Sequence, residues 1–174
     1  MPRIFIGLKA SAALAEALAE RAAVLADPEV RRVAVADIHL TLVPPWNETD
    51  LSAVTGTLAR VSGGFSAFTL ELVRLTYAPD PRQPRLLWAE CLASATLTAL
   101  HDALLQAFHP RQTQPFRPHL TLARLGRHSR RIAAAHPLEQ VLSLRQPVTA
   151  VTLFQSPVAG GGGYSVLAQA PLGQ

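Results

Sequence analysis

His39-Leu40-Thr41-Leu42 recurs further along the chain as His119-Leu120-Thr121-Leu122. Side chains alternate faces along a β-strand with period two, so each copy sets its His and Thr on one face and its two Leu on the other. Two such strands side by side would put two imidazoles and two hydroxyls on a shared floor. Two imidazoles supply one general base and one general acid near neutral pH. Two hydroxyls donate hydrogen bonds to an anion held between them. A lone His on a half-buried strand is more often a packed or exposed residue than a catalytic one; its repetition within a matching string is what favours chemistry. The flanks add to this. Phe116-Arg117-Pro118 precedes the second copy and Ala123-Arg124 follows it, bringing a guanidinium close to one imidazole.

Composition narrows the setting. The chain has 174 residues, 49% of them apolar and 16% charged, which is the balance of a globular protein with a substantial core. No apolar run approaches the roughly 18 residues needed to span a bilayer, and Met1 to Ile6 is too short an apolar run for a signal peptide, with Lys9 following at once. Cys91 is the one cysteine, so an internal disulfide and a Cys-based zinc site are excluded, and a cytoplasmic protein is expected. The net charge is +4, but its distribution matters more. Between Asp102 and Glu139 no acidic residue occurs, while Arg111, Arg117, Arg124, Arg127, Arg130 and Arg131 do, with His119 among them. A solvated basic face would read the same way. The position of His119 inside the window favours an anionic substrate, on the scale of a nucleotide or a short RNA end.

Periodicity orders the remainder. A buried strand is predicted over 3–8, then an Ala-rich helix capped by Ser11 and ended by Asp27-Pro28. A short strand over 31–36 and the first motif strand over 38–43 follow, the latter stopped by Pro44-Pro45. Asn47 is read as the N-cap of a helix carrying Leu51, Val54, Leu58 and Val61, closed by Ser62-Gly63-Gly64. Strands are predicted over 65–77 and 86–92, a helix over 95–108, and a loop over 110–118 before the second motif strand. Residues 127–142 read as partly helical. Strands at 148–154 and 164–167 are joined through Gly160 to Gly163, a hairpin tip and not a phosphate loop, since neither Lys-Ser/Thr nor a helix follows. His101 and His109 are read as surface or packing residues, and His128 and His136 as exposed. The succession strand-helix-strand-helix-strand thus appears once around each His motif. It points to an α+β fold of two pseudo-twofold lobes, mostly antiparallel sheet with helices on the outer faces and a central cleft, forming one bilobed domain over 1–174.

These residues resemble the two-histidine phosphoesterase superfamily, and within it the bacterial RNA 2′,3′-cyclic phosphodiesterases, or 2′-5′ RNA ligase-like proteins. Phe116 to Arg124 is similar to that family's second motif, Arg3 to Leu8 to its first strand, Leu86-Leu87-Trp88-Ala89 to its middle strand, and Ser156-Pro157 through Tyr164 to Leu167 to its final hairpin. Val43-Pro44-Pro45-Trp46 departs from the Phe-Leu-Gly that often follows the family's first motif. The resemblance implies the bilobed fold and hydrolysis of a 2′,3′-cyclic phosphate on RNA or a nucleotide to a 2′-phosphate.

That reaction needs an activated water on one side of phosphorus, a proton for the leaving oxygen on the other, and donors for the nonbridging oxygens. His119 is assigned as base, because Arg124 should favour its neutral form, and His39 as acid. Thr41, Thr121 and Arg124 are expected to bind the phosphate, and Trp46 and Phe116 to stack on a base. Trp88 is read as core. No metal or other cofactor is expected, since no His is paired with a carboxylate or Cys at ligand spacing. A monomer is expected. A 2′-5′ RNA ligase, a phosphodiesterase for another 2′-linked nucleotide, and a non-catalytic RNA-end binding protein are the rival readings.

Overall fold

The computed structural model describes residues 1–108, 115–157 and 163–173. The expectations for His109, Arg111 and the glycines at 160–162 fall outside those residues. In chain order the elements are β1 (Arg3–Lys9), α1 (Ala12–Ala22), β2 (Arg31–Arg32), a 3-10 turn (Val35–Asp37), β3 (His39–Asn47), α2 (Leu51–Ser62), β4 (Phe68–Ala78), β5 (Leu86–Cys91), α3 (Ala95–Phe108), β6 (His119–Arg124), α4 (Ser129–Ala135), β7 (Gln140–Val148), β8 (Ala150–Gln155) and β9 (Ser165–Pro171). The fold is α+β. The sheet runs β7-β4-β5-β6-β3-β1-β8-β9, with β2 added beside β6, and its strand pairs are antiparallel.

This order divides into two quartets, β7-β4-β5-β6 and β3-β1-β8-β9, which meet where the two motif strands touch. Their one paired position is Leu40 with Leu120, the second residue of each motif. The two halves also match in connectivity: β1-α1-β3 and β5-α3-β6 are both an antiparallel pair joined through a helix. Leu40, Leu42, Leu120 and Leu122 all lie in the apolar core with Leu14 and Leu18 of α1, Leu58 of α2 and Leu97, Leu100 and Leu104 of α3. The leucine face of the motif strands is therefore the helix-covered side of the sheet, and the His-Thr face is the opposite side.

Local chemistry accounts for the element ends. The Ser11 hydroxyl accepts from the Leu14 N–H at 3.2 Å and starts α1, a cap worth about 1 kcal/mol. That helix ends at Ala22, short of Asp27-Pro28, although Leu25 is still buried. Asp50, not Asn47, caps α2, accepting from the Ala53 N–H at 2.9 Å.

Pro44-Pro45 does not stop the first motif strand: β3 continues to Asn47. The two prolines lie at a register shift against β1, where Ile6 pairs with Val43 and Ile4 with Trp46. Beyond Leu40 the other edge of β3 is unpaired among the described residues, so the missing N–H groups break no ladder there. Only Arg31–Arg32 of the segment expected over 31–36 is strand, and the 3-10 turn takes its end. The segment 127–142 holds a helix only over Ser129–Ala135, and Gln140–Val148 is the edge strand β7. No helix among the described residues is long and apolar enough to cross a membrane.

Candidate active site

One cavity of about 220 Å³ opens on the His-Thr face where the two quartets meet. His39, Thr41, His119, Thr121 and Arg124 all line it, together with Phe5, Asp37 and Tyr164. Carried one residue either way, the antiparallel register at Leu40 and Leu120 sets His39 across from Thr121 and Thr41 across from His119. Each imidazole thus has a hydroxyl from its own strand and one from the facing strand.

Both rings are held in the same way. His39 Nδ1 lies 2.6 Å from the carbonyl oxygen of Asp37, and His119 Nδ1 lies 2.6 Å from the carbonyl oxygen of Arg117. A carbonyl oxygen only accepts, so each Nδ1 carries the hydrogen, and Nε2 is the nitrogen able to take up a further proton. In both cases the acceptor sits two residues before the His.

The walls differ. His39 packs among Phe5, Phe154 and Tyr164, with ring centroids 4.8, 5.4 and 5.0 Å away. His119 lies against Trp88 at 3.7 Å. Trp88 is buried, as its sequence pattern suggested, but it is also the surface on which a motif imidazole rests. The Arg117 guanidinium covers Trp88 at 5.0 Å and bonds the Glu90 carboxylate at 3.0 Å; Glu90 in turn receives Arg74 Nη2 at 2.7 Å.

Burial lowers the pKa of both imidazoles below the usual histidine range. For His39 the Asp37 carbonyl and carboxylate oppose that shift, while the Arg124 guanidinium adds to it. For His119 the Arg117 carbonyl opposes it, the Arg117 guanidinium and the charge of His39 add to it, and Glu90 opposes it. The charge of Arg124 therefore bears on His39, and Arg117 holds the place beside His119 that the sequence suggested for Arg124.

Arg124 stands five residues after His119 and would face the core in an ideal strand. It lines the cavity because β6 carries a bulge. Trp88 pairs with Thr121 and Leu87 with Ala123, so Leu122 is an extra residue and alternation shifts by one beyond it. Leu122 and Ala123 are consecutively buried, at 1% and 0% exposure, and Arg124 emerges on the His face. β3 repeats the device. Gly7 pairs with Thr41 and Ile6 with Val43, which leaves Leu42 extra. A Cβ on residue 7 would run into the carbonyl oxygen of Leu40, so this close strand approach requires the glycine.

Trp46 and Phe116 do not line the cavity. Trp46 stays on the leucine side of β3 and packs on Phe108 at 5.4 Å. Phe116 stacks on the buried His101 ring at 3.8 Å, just ahead of β6. The aromatic walls are instead Phe5 and Tyr164. In the sequence Phe5 reads as part of a buried strand, although it shares the parity of Gly7 and Lys9 in β1. Tyr164 is fixed by its N–H, which donates to Asp37 Oδ1 at 3.0 Å. Gly163 before it has φ +73°, a left-handed conformation that L side chains rarely adopt. Among the described residues no three His, Cys, Asp or Glu side chains gather closely enough to hold a metal ion.

A pseudo-twofold antiparallel sheet with a His-x-Thr strand from each half facing one cavity defines the two-histidine phosphoesterase class. The chain belongs to the 2′-5′ RNA ligase superfamily of that class, whose family model matches residues 10–157. The RNA 2′,3′-cyclic phosphodiesterase of Bacillus subtilis (strain 168) is 32% identical over 94 residues, and the match covers about half of each protein, 51% of this chain and 51% of that one. Escherichia coli LigT, crystallised with 3′-AMP, superposes with a TM-score of 0.79 at 25% identity, covering 99% of both chains. TT0787 of Thermus thermophilus has the same fold, with a TM-score of 0.79 at 22% identity over 98% of this chain and 97% of that one.

Proposed function

We propose that the protein hydrolyses the 2′,3′-cyclic phosphate of an RNA end or nucleotide to a 2′-phosphate, without a metal, by general acid and base catalysis from His39 and His119. The observation that carries this reading is the matched pair of imidazoles in one cavity, each with Nδ1 tied to a carbonyl and Nε2 without a partner among the described residues. The B. subtilis relative and the 3′-AMP bound to LigT support the substrate class.

Water attacks phosphorus as His119 Nε2 accepts its proton, the bond from phosphorus to the 3′ oxygen breaks, and His39 Nε2 gives that oxygen a proton. The product carries the phosphate on its 2′ oxygen. His39 is the acid because the largest charge acting on it, the Asp37 carboxylate, favours the protonated ring, and His119 is the base because the Arg117 guanidinium favours the neutral one. Each proton transfer contributes about 10²–10⁴ in rate. Thr41 and Thr121 donate to the nonbridging oxygens, Arg124 adds a charged donor to the same oxygens, and Tyr164 faces the nucleoside. If the 5′ hydroxyl of a second RNA replaces water, the same groups perform 2′-5′ ligation, the activity named in the superfamily's description.

The test is turnover of 2′,3′-cyclic CMP in excess EDTA, with the product identified by ³¹P NMR. A 2′-phosphate is expected. Dependence on an added divalent ion, or release of the 3′-phosphate, would overturn the proposed chemistry.

A further inference from the structure

Arg31 and Arg32, outside the acid-poor arginine window of the sequence, extend the basic surface beside the first cavity. A second open cavity, of about 350 Å³, is lined by Arg31, Arg32, Pro157 and Gly163 and shares Val33, Asp37, Arg124 and Tyr164 with the first. The two are continuous through Arg124. β2 forms this groove's floor, and its register sets Arg31 directly opposite Arg124. Side chains so paired have Cβ atoms about 4.5–5.5 Å apart, and like charges there are destabilising.

No ion pair among the described residues relieves that repulsion. No carboxylate lies within ion-pair distance of Arg31, Arg32 or Arg124 among the described residues. The residues outside the described ranges carry no acidic side chain. Asp37, the one carboxylate lining the groove, accepts from the Tyr164 N–H. Arg32 is partly committed, with Nη1 3.4 Å from the Ala23 carbonyl oxygen. The Arg31 guanidinium has no hydrogen-bond partner among the described residues.

The geometry points to a second phosphate subsite, in which Arg31 binds the phosphodiester on the 5′ side of the terminal nucleoside while Arg124 binds the reacting phosphate. This rests on the reading of the first cavity as a cyclic-phosphate site. It makes the protein an enzyme of RNA strand ends in preference to mononucleotides. An arginine pair one nucleotide apart follows a strand's backbone without reading its bases, as phosphate contacts do. The two anions remove the like-charge penalty that the pair alone carries.

The test compares kcat/KM for a tetranucleotide ending in a 2′,3′-cyclic phosphate with that for the cyclic mononucleotide of the same base, in the wild type and in Arg31→Gln. The wild type is expected to prefer the tetranucleotide, and the ratio of the two values to fall at least about tenfold in the variant. A parallel arm measures binding of a fluorescein-labelled tetranucleotide bearing a 2′-phosphate end, as a function of salt. Arg31→Gln should weaken binding and reduce the slope of log K against log salt by about 0.7, the loss of one phosphate contact on a single strand. If the wild type turns over neither substrate, the proposed activity fails, and the binding arm still decides the subsite. An unchanged substrate ratio, or an unchanged affinity and salt slope, overturns the role of Arg31.

Discussion

Trp88 lies flat against His119, with ring centroids 3.7 Å apart and planes inclined by 15°. The indole takes one face of the imidazole away from water, and burial is the largest influence lowering the His119 pKa. The Arg117 guanidinium above the indole completes the stack.

Trp88→Ala should therefore let the His119 pKa rise towards the ordinary value of 6.5. The acid limb of kcat/KM should move to higher pH with it, since a base that is easier to protonate is lost earlier as pH falls. Trp88→Phe, which keeps a stacking ring, should leave the limb close to its wild-type position. An NMR titration of the His119 ring in the three proteins checks this.

The same shifts enter stability. Both motif imidazoles bind protons less readily folded than unfolded. Between the lowered folded pKa values and the unfolded value of 6.5, the unfolded chain holds more protons. Stability is then greatest above 6.5 and falls as pH drops through that window. His39→Phe and His119→Phe should each flatten the decline, as measured by thermal unfolding at a series of pH values.

Arg124 reaches the cavity through the bulge at Leu122. A lysine there keeps the charge but loses the planar fork that grips two phosphate oxygens at once. Arg124→Lys should lower kcat/KM on a 2′,3′-cyclic nucleotide by about tenfold, the equivalent of about 1.4 kcal/mol. Full activity in that variant would make Arg124 a surface charge.

The bulges mark the limit of what the sequence discloses. The period-two pattern of His-Leu-Thr-Leu is readable because His and Thr differ so sharply from Leu, and it separates the core face of both strands from the face that lines the cavity. The adjacent apolar pairs Leu42-Val43 and Leu122-Ala123 break that alternation and were the available sign of the extra residues. What they do to Arg124 and to Pro44-Pro45 depends on the partner strand, which no local pattern reveals.

Val73, which is 38% exposed, blurred the alternation of β4 for the same reason, since the register shifts between Leu72 and Arg74. β7 escaped because it pairs with β4 alone. Its burial does alternate, with Leu142, Gln146 and Val148 buried between exposed Val141, Ser143, Arg145 and Pro147, but an inward Gln146, an outward Val141 and a proline that an edge strand tolerates disguise the period. Alternation also places Trp46 with Leu40 and Leu42, on the face away from His39, as the fold has it. Of the aromatic walls, Phe5 comes from β1 and Tyr164 from the residue just before β9, both distant in sequence from His39, which they meet only in the folded protein.

The joint action of His39 and His119 is tested most directly by turnover of a 2′,3′-cyclic nucleotide in His39→Ala, His119→Ala and the double variant, with folding checked by circular dichroism. Each single variant should lose at least about a hundredfold in kcat, and the double variant should be little worse than the poorer single one, because groups acting as a unit are not additive. Near-normal turnover in either single variant would contradict the two-histidine mechanism.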